Sequence, residues 1–337
     1  MQAILDFITG PLNTLAWMYI LLPCVAIGGL FFTIRNRGMQ FTKFGYAMKN
    51  TIGKAFTKQT ANEGAVTPFQ ALTTALAATV GTGNIIGTSQ AIALGGYGAI
   101  FWLWIAALLG MIIKYSEVTL AVHYRERNSK GDYVGGPMYY IVNGMGKNWK
   151  WLAILFTIFA ILASFGIGNL SQANSISGSL NNAITAFAPQ MEAHKDTVAL
   201  VAGIALAVLT AVALLGGIKR IGKVTELVVP FMSAFYIIFT LIVIFGNIGN
   251  VGNAFKQIFA AAFNPQAVLG AASGIALKEA LVWGLRRSAF SNEAGLGSAA
   301  IAHAAAETKG PVQQGLYGIF EVFADTIVIC TLTGLTI

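Results

Sequence analysis

Long apolar runs, separated by short polar and basic gaps, set the pattern of this chain. The runs lie near 12–34, 67–94, 98–125, 150–180, 197–215, 224–246, 272–307 and 312–336. Each is about as long as the roughly 20 residues that a helix needs to cross a bilayer, so the pattern predicts eight spans. Strands of a membrane barrel alternate apolar and polar positions over about ten residues, and these unbroken runs do not. The 247–266 stretch, with Gly249, Gly252 and Pro265, predicts a loop carrying a short amphipathic helix. Composition agrees. The chain is 56% hydrophobic and only 10% charged, with a mean hydropathy of +0.69, whereas soluble domains carry about 25% charged residues. Lipid is therefore the expected solvent, and the fold class is all-α and polytopic.

The net charge of +8 changes the picture less than its size suggests. Basic residues are not gathered on one tail or face, as a nucleic-acid binder would need. They sit in alternate gaps: Arg35, Arg37, Lys43, Lys49, Lys54 and Lys58 in the first, Arg127, Lys130, Lys147 and Lys150 in the next, then Lys219, Arg220 and Lys223. The positive-inside rule makes these gaps cytoplasmic and puts the N-terminus outside. The N-terminus lacks the basic region and small-residue cleavage site of a removable signal, so 12–34 is expected as a retained helix. Cys24 and Cys330 both fall in apolar runs, which gives no disulfide framework.

Two spans are interrupted where lipid depth is expected. One break is Thr79-Val80-Gly81-Thr82-Gly83-Asn84, and the other is Ser291-Asn292-Glu293-Ala294-Gly295-Leu296-Gly297-Ser298. Backbone groups freed there must be satisfied by protein, ions or a water-filled cavity. The breaks are also related. Gly83 and Gly297 each precede the next span, at Gly98 and Val312, by 15 residues, and Gly81-Thr82-Gly83-Asn84 aligns with Gly295-Leu296-Gly297-Ser298. By the orientation above the two helices run in opposite directions, as an inverted repeat of five helices requires. This predicts an N-terminal extra helix and loop (1–66), a first repeat (67–246) and the start of a second (247–337). Three or more helices of that second repeat would lie beyond Ile337.

An unwound turn exposes free carbonyls on one side and free amides on the other. Carbonyls around Ala77, Thr79 and Val80 can ligate a small hard cation. Amides of Thr82, Gly83 and Asn84, at the positive end of a helix dipole, suit a carboxylate. One turn could thus hold a cation and an amino-acid carboxylate side by side, with Gly81 and Gly83 allowing a sharp turn and close approach. Close helix packing is the competing reading of Gly-x-Gly. Elsewhere, Ser164, Asn169, Gln172 and Asn174 lie close in sequence, with Ser164 and Gln172 about two turns apart. Gln172 could line a pocket or bond a neighbouring helix. Glu117 with Lys114 reads as a structural ion pair, and Asp325 is a deeper cation-ligand candidate than Glu321. Arg286 and Arg287 could draw anions into an outer vestibule or snorkel. His123 and His303 have no metal-ligand companions at useful spacing. No catalytic constellation is visible in the sequence; the alternatives to a coupled transporter are a uniporter or channel, an intramembrane enzyme using Glu293, Asp325 or His303, or a non-transporting fragment of a symporter.

At Gly96-Tyr97-Gly98-Ala99-Ile100-Phe101-Trp102-Leu103-Trp104, followed by Gly110, the sequence resembles the signature of the alanine/glycine:cation symporter family, with Leu103 where the family usually has Met. Lys114-Tyr115-Ser116-Glu117 running to Tyr124-Arg125, Gly135-Gly136-Pro137-Met138-Tyr139-Tyr140 and Phe290-Ser291-Asn292-Glu293-Ala294-Gly295 are similar to the same family. The resemblance implies cation-driven uptake of alanine or glycine at a cell membrane, on the leucine-transporter fold of two inverted five-helix repeats. Carried onto this chain, it implies Ala77 and Val80 carbonyls at one sodium site, with the Thr79 carbonyl and Asn84 side chain at another. It implies the substrate carboxylate on the Thr82 and Gly83 amides, with contributions from the Ser164–Gln172 face and from Ser291, Asn292 and Gly295. An eighth helix, absent here, would complete the first sodium site. The candidate substrate residues are therefore Thr79, Gly81, Thr82, Gly83, Gln172, Ser291, Asn292 and Gly295. The candidate sodium ligands are Ala77, Thr79, Val80, Asn84 and Asp325. Apart from sodium as coupling ion, no cofactor is expected.

Overall fold

A computed structural model of the chain describes residues 6–55, 61, 65–263 and 273–337. Lys58, Pro265 and the start of the 272–307 span lie outside the described residues. The described residues are helical apart from turns, connecting segments and a small antiparallel hairpin, in which Glu126–Arg127 pairs with Tyr133–Val134. Among the described residues six helices are long and apolar enough to cross a membrane: α1 (Ile8–Arg35), α5 (Gly98–His123), α7 (Lys147–Phe187), α8 (Pro189–Leu214), α9 (Gly217–Gly246) and α13 (Pro311–Thr336); α2 (Phe44–Ala55) and α6 (Pro137–Met145) are shorter. The other two expected spans are interrupted. The first comprises α3 (Pro68–Thr79) and α4 (residues 83–95); the second comprises α11 (Ser273–Asn292) and α12 (Ser298–Ala304). The chain is thus an all-α, polytopic integral membrane protein.

The start of α3 is fixed locally. The Thr67 hydroxyl accepts from the Gln70 amide while the Gln70 side-chain oxygen accepts from the Thr67 amide, both at 3.1 Å, and Pro68 fills the first helical position. This is a capping box, reinforced by a residue that has no amide to strand.

The interrupted helices cross each other along their whole length in opposite directions. Val66 and Ala71 pack with Ala305 and Ala306, and Ala75 with Ala299 and Ala302. Gly83 faces Phe290 and Ser291, Gly87 faces Arg287, and Gly95 faces Trp283. As numbers rise on one helix they fall on the other, so the two breaks meet. Small residues make this possible: a Cβ on Gly83 would lie 3.3 Å from the Ser291 Cα.

Helix α5 forms the spine behind this pair. Gly315 and Gly318 of α13 press onto Tyr115, Thr119 and the Lys114 backbone. Residues Ala107, Met111, Ile112 and Tyr115 join Leu316, Ile319 and Val322 in the largest apolar cluster. Inside it lies a fully buried ion pair, Lys114 Nζ to Glu321 Oε1 at 3.1 Å, with His303 Nε2 3.4 Å from the other Glu321 oxygen. The expected Lys114–Glu117 pair is therefore replaced. Lys114 turns to the neighbouring helix, and Glu117 instead accepts from the Gly295 amide at 3.0 Å.

Two boundaries also differ from expectation. The 247–266 stretch is a 16-residue helix, α10 (Ile248–Phe263), rather than mainly loop. Its Phe255 and Phe259 lie against Trp104, and Phe263 against Phe101. Docking on α5 outweighs the weak propensity of Gly249 and Gly252, which face open space. Lys219, Arg220 and Lys223 lie within the first turns of α9 rather than in a turn. Lys219 still reaches Asp132 at 3.9 Å, so two of the basic gaps share one side of the bundle. Arg286, in the interrupted α11, donates to Asn13 of α1 at 3.4 Å.

The buried pair gives a stability test. Glu321→Leu strands an ammonium in an apolar interior, and removing one partner of such a pair costs about 3–5 kcal/mol. Thermal unfolding in detergent should show that loss for Glu321→Leu, and a clearly smaller one for the double variant Lys114→Met/Glu321→Leu.

Candidate functional site

At the first break the helical ladder is diverted rather than simply ended. Val80 is extended, with φ −78° and ψ 100°. The Gly81 amide then donates to the Asn84 side-chain oxygen at 2.7 Å, instead of to Ala77 four residues back. The last carbonyls of α3, from Ala77 onward, are thereby released at the break. The second break is sharper: Glu293, Gly295 and Gly297 all lie in the left-handed region, with φ of 52°, 87° and 91°. A non-glycine there is uncommon, and Glu293 is held by a hydrogen bond from the Ser298 hydroxyl. Gly81 and Gly83 do not have positive φ. Their value lies in closeness, to Gln172 and to Ser291 respectively, and the expectation of a glycine-enabled sharp turn holds only for the second break.

Asn84 is fully buried and ties the breaks together. Its amide donates to Ser291 Oγ at 2.9 Å, to Asp325 Oδ1 at 2.7 Å and to the Asp325 carbonyl at 3.0 Å. The Asp325 carboxylate also accepts from Ser291 at 2.8 Å and from Thr326 at 2.7 Å. Cys330, 3.4 Å from Ser291, closes the cluster. Asp325 is fully buried, yet among the described residues no Lys, Arg or His lies within 4.0 Å of it. Neutral donors alone surround a carboxylate at membrane depth, where an unpaired charge is costly.

The remaining candidates divide into groups. Thr82 donates through its amide to Gln172 Oε1 at 3.4 Å, and it opens on a polar cavity of about 440 Å³. Asn292 lies behind the cluster: its amide donates to Ser288 and Thr326 at 3.1 and 3.2 Å, and its oxygen accepts from the Ala294 amide. Gly295 is drawn away toward Glu117. The Thr79 hydroxyl folds back on its own helix, 3.4 Å from the Ala75 carbonyl. The structure thus brings Gly81, Gly83, Asn84, Ser291 and Asp325 together and sets Asn292 and Gly295 apart.

The face of α7 is also shifted. Residues 166–170 form a wide turn, and Ser164 lies exposed on the far side, bonded to the Ile161 carbonyl. Ser171, Asn174, Ser175, Ser179 and Asn182 line the cavity instead. Their spacing is that of one helical face; of the four residues singled out in sequence, Asn174 lies on it. Nothing in local sequence announced Cys330 and Thr326, which reach the cluster only through the placement of α13. Among the described residues no group of three His, Cys, Asp or Glu side chains could hold a metal ion.

Discontinuous helices meeting at mid-span around buried polar groups define the class: a polytopic helical membrane protein with its polar site at two helix breaks. The chain belongs to the sodium:alanine symporter family, whose model matches residues 1–337. That family consists of transporters, not enzymes. The sodium/alanine symporter AgcS of Methanococcus maripaludis is 43% identical over 99% of this chain and 71% of its own length. The uncharacterized transporter YflA of Bacillus subtilis is 45% identical over 91% of this chain and 62% of its own. The probable sodium/glutamine symporter GlnT of Bacillus subtilis is 39% identical over 100% and 66%. The chain therefore spans about two thirds of the length of these relatives.

The close approach at Gly83 is directly testable. Gly83→Val must force the breaks apart at Ser291, and overpacking of this kind costs about 1–3 kcal/mol. Gly83→Ala, whose methyl needs only a few tenths of an ångström, should fall between valine and wild type in thermal unfolding.

Proposed function

We propose that this chain forms most of a secondary active transporter that couples uptake of a small neutral amino acid, alanine or glycine, to sodium influx by alternating access. The reading assigns 67–246 to the first repeat and 247–337 to the start of the second, on a leucine-transporter-like plan, with 1–66 as an N-terminal addition. Its setting would be the cell inner membrane.

The observation that carries the reading is Asp325: a buried carboxylate with three neutral donors and, among the described residues, no cation within ion-pair distance, beside a break whose carbonyls are released. Sodium supplies the missing positive charge. In this reading the Ala77 and Val80 carbonyls serve one sodium site and the Thr79 carbonyl and Asn84 oxygen a second, with Asp325 as the carboxylate ligand. The substrate carboxylate lies on the Thr82 and Gly83 amides, with Gln172 and Ser291 beside it. Ion and carboxylate then attract each other across one turn of backbone, which makes their binding mutually favourable. One charge moving through 100 mV supplies about 2.3 kcal/mol. That is roughly a 50-fold gradient of a neutral zwitterion before the sodium gradient is added.

Uptake of radiolabelled alanine, glycine and glutamine into proteoliposomes, with and without an inward sodium gradient, tests the reading. It should be run on this chain and on one extended by its native downstream sequence. Sodium-driven accumulation of alanine or glycine by the extended chain is expected. Asn84→Ala should reduce it at least 100-fold in rate, since a buried carboxylate loses its bridging donor. Accumulation of glutamine instead would replace the small-substrate assignment, and uptake indifferent to cations would make the protein a uniporter.

A further inference from the structure

The polar cavity holds a feature that the transport reading leaves unused. It lies between α4, α7 and α11, and its polar lining includes Thr82, Gln90, Asn174, Ser175 and Asn182, together with a single charged side chain, Arg287. No acidic residue lines it. Among the described residues Arg287 has no carboxylate within 4.0 Å, and its buried Nε has no hydrogen-bond partner.

Neighbouring arginines behave differently. Arg286 lies over Trp17 and Trp283 but also donates to Asn13, and Arg125 donates to the Ala304 and Ala306 carbonyls. Arg287 is held against two rings, with its guanidinium carbon 5.2 Å from the Trp283 centroid and 5.7 Å from that of Phe290, and its Nε has no such partner among the described residues. Aromatic faces position a guanidinium without consuming its donors. The result is a planar fork, prepared for a carboxylate, on the wall of a polar cavity inside a membrane protein.

Its position gives the fork a role. Arg287 lies opposite Gly87, while Phe290 and Ser291 lie opposite Gly83. These pairings are one helical turn apart, about 5.4 Å, and Thr82 and Arg287 open on the same cavity. We propose that Arg287 forms an outer carboxylate-binding site, which takes the substrate amino acid by its carboxylate before it passes one turn inward to the Thr82 and Gly83 amides. The inward transfer rests on the transporter reading above; the carboxylate site itself does not.

Propionate, which keeps the carboxylate and chain length of alanine but lacks the amine, is the probe. Its binding to the purified extended chain should be measured by titration without sodium, alongside alanine binding with sodium. Wild type should bind propionate without sodium. Arg287→Gln should weaken propionate at least tenfold and raise the half-saturation for alanine, while keeping sodium-dependent stabilisation as evidence that it is folded. Arg287→Lys should recover part of the loss. Asn182→Asp, which adds a competing carboxylate to the cavity without touching the arginine, should also weaken propionate. Failure of sodium dependence in wild type, with propionate still lost in Arg287→Gln, would remove the transporter reading and leave the site standing. Propionate binding that is undetectable in wild type, or within twofold in wild type, Arg287→Gln and Asn182→Asp, would overturn the site.

Discussion

A hydrogen-bonded helix is the cheapest way through a bilayer, because its core offers no water to free backbone groups. Everything around the two breaks follows from that constraint. At the first, a side chain stands in for the ladder: Asn84 accepts from the Gly81 amide and so releases a carbonyl while keeping that amide paired. At the second, Glu117 reaches across from α5 to the Gly295 amide, and Asn292 accepts from that of Ala294. The protein therefore satisfies its own orphan donors at one break and leaves acceptors open at the other. That asymmetry favours a cation at the Asn84–Asp325 cluster over an anion there.

The antiparallel crossing makes this economical. Because α3 and α4 run against α12 and α11, the breaks fall at the same depth and face each other across Gly83 and Ser291. Two irregular segments then bury each other, and neither needs separate cover. The same geometry requires small side chains over most of the crossing, which is why Ala71, Ala75, Ala299, Ala302, Ala305 and Ala306 line it. Larger residues would separate the helices and expose the breaks to lipid.

Much of this was legible in the sequence. Apolar run length gave the six continuous spans, and polar residues at lipid depth gave both interruptions, with Asn84, Ser291 and Asp325 among the residues singled out. What was not legible depends on contacts between distant segments. Lys114 lies three residues from Glu117, a favourable helical spacing, yet it pairs with Glu321, which local pattern cannot rank above it. Likewise Gly295 is helical-break backbone in sequence, but only the position of α5 shows its amide already taken. Ser164 and Gln172 part for a local reason: the wide turn at 166–170 rotates the helix, so spacing counted through it loses register, and only Gln172 reaches the break.

The buried Lys114–Glu321–His303 group and the Asn84–Asp325 cluster lie on the same helix, α13, four residues apart. Four residues is one turn, and both carboxylates project toward the α5 and α11–α12 side. One is matched by an ammonium at 3.1 Å, and the other is matched only by dipoles. Had both been unmatched, their repulsion at low dielectric would have opposed burial of α13. Pairing Glu321 with a fixed lysine removes that repulsion between the two carboxylates of α13. The structural ion pair thus sets the electrostatics of the site one turn away, and a change at Lys114 would alter the charge presented to any cation bound at Asp325 without touching it.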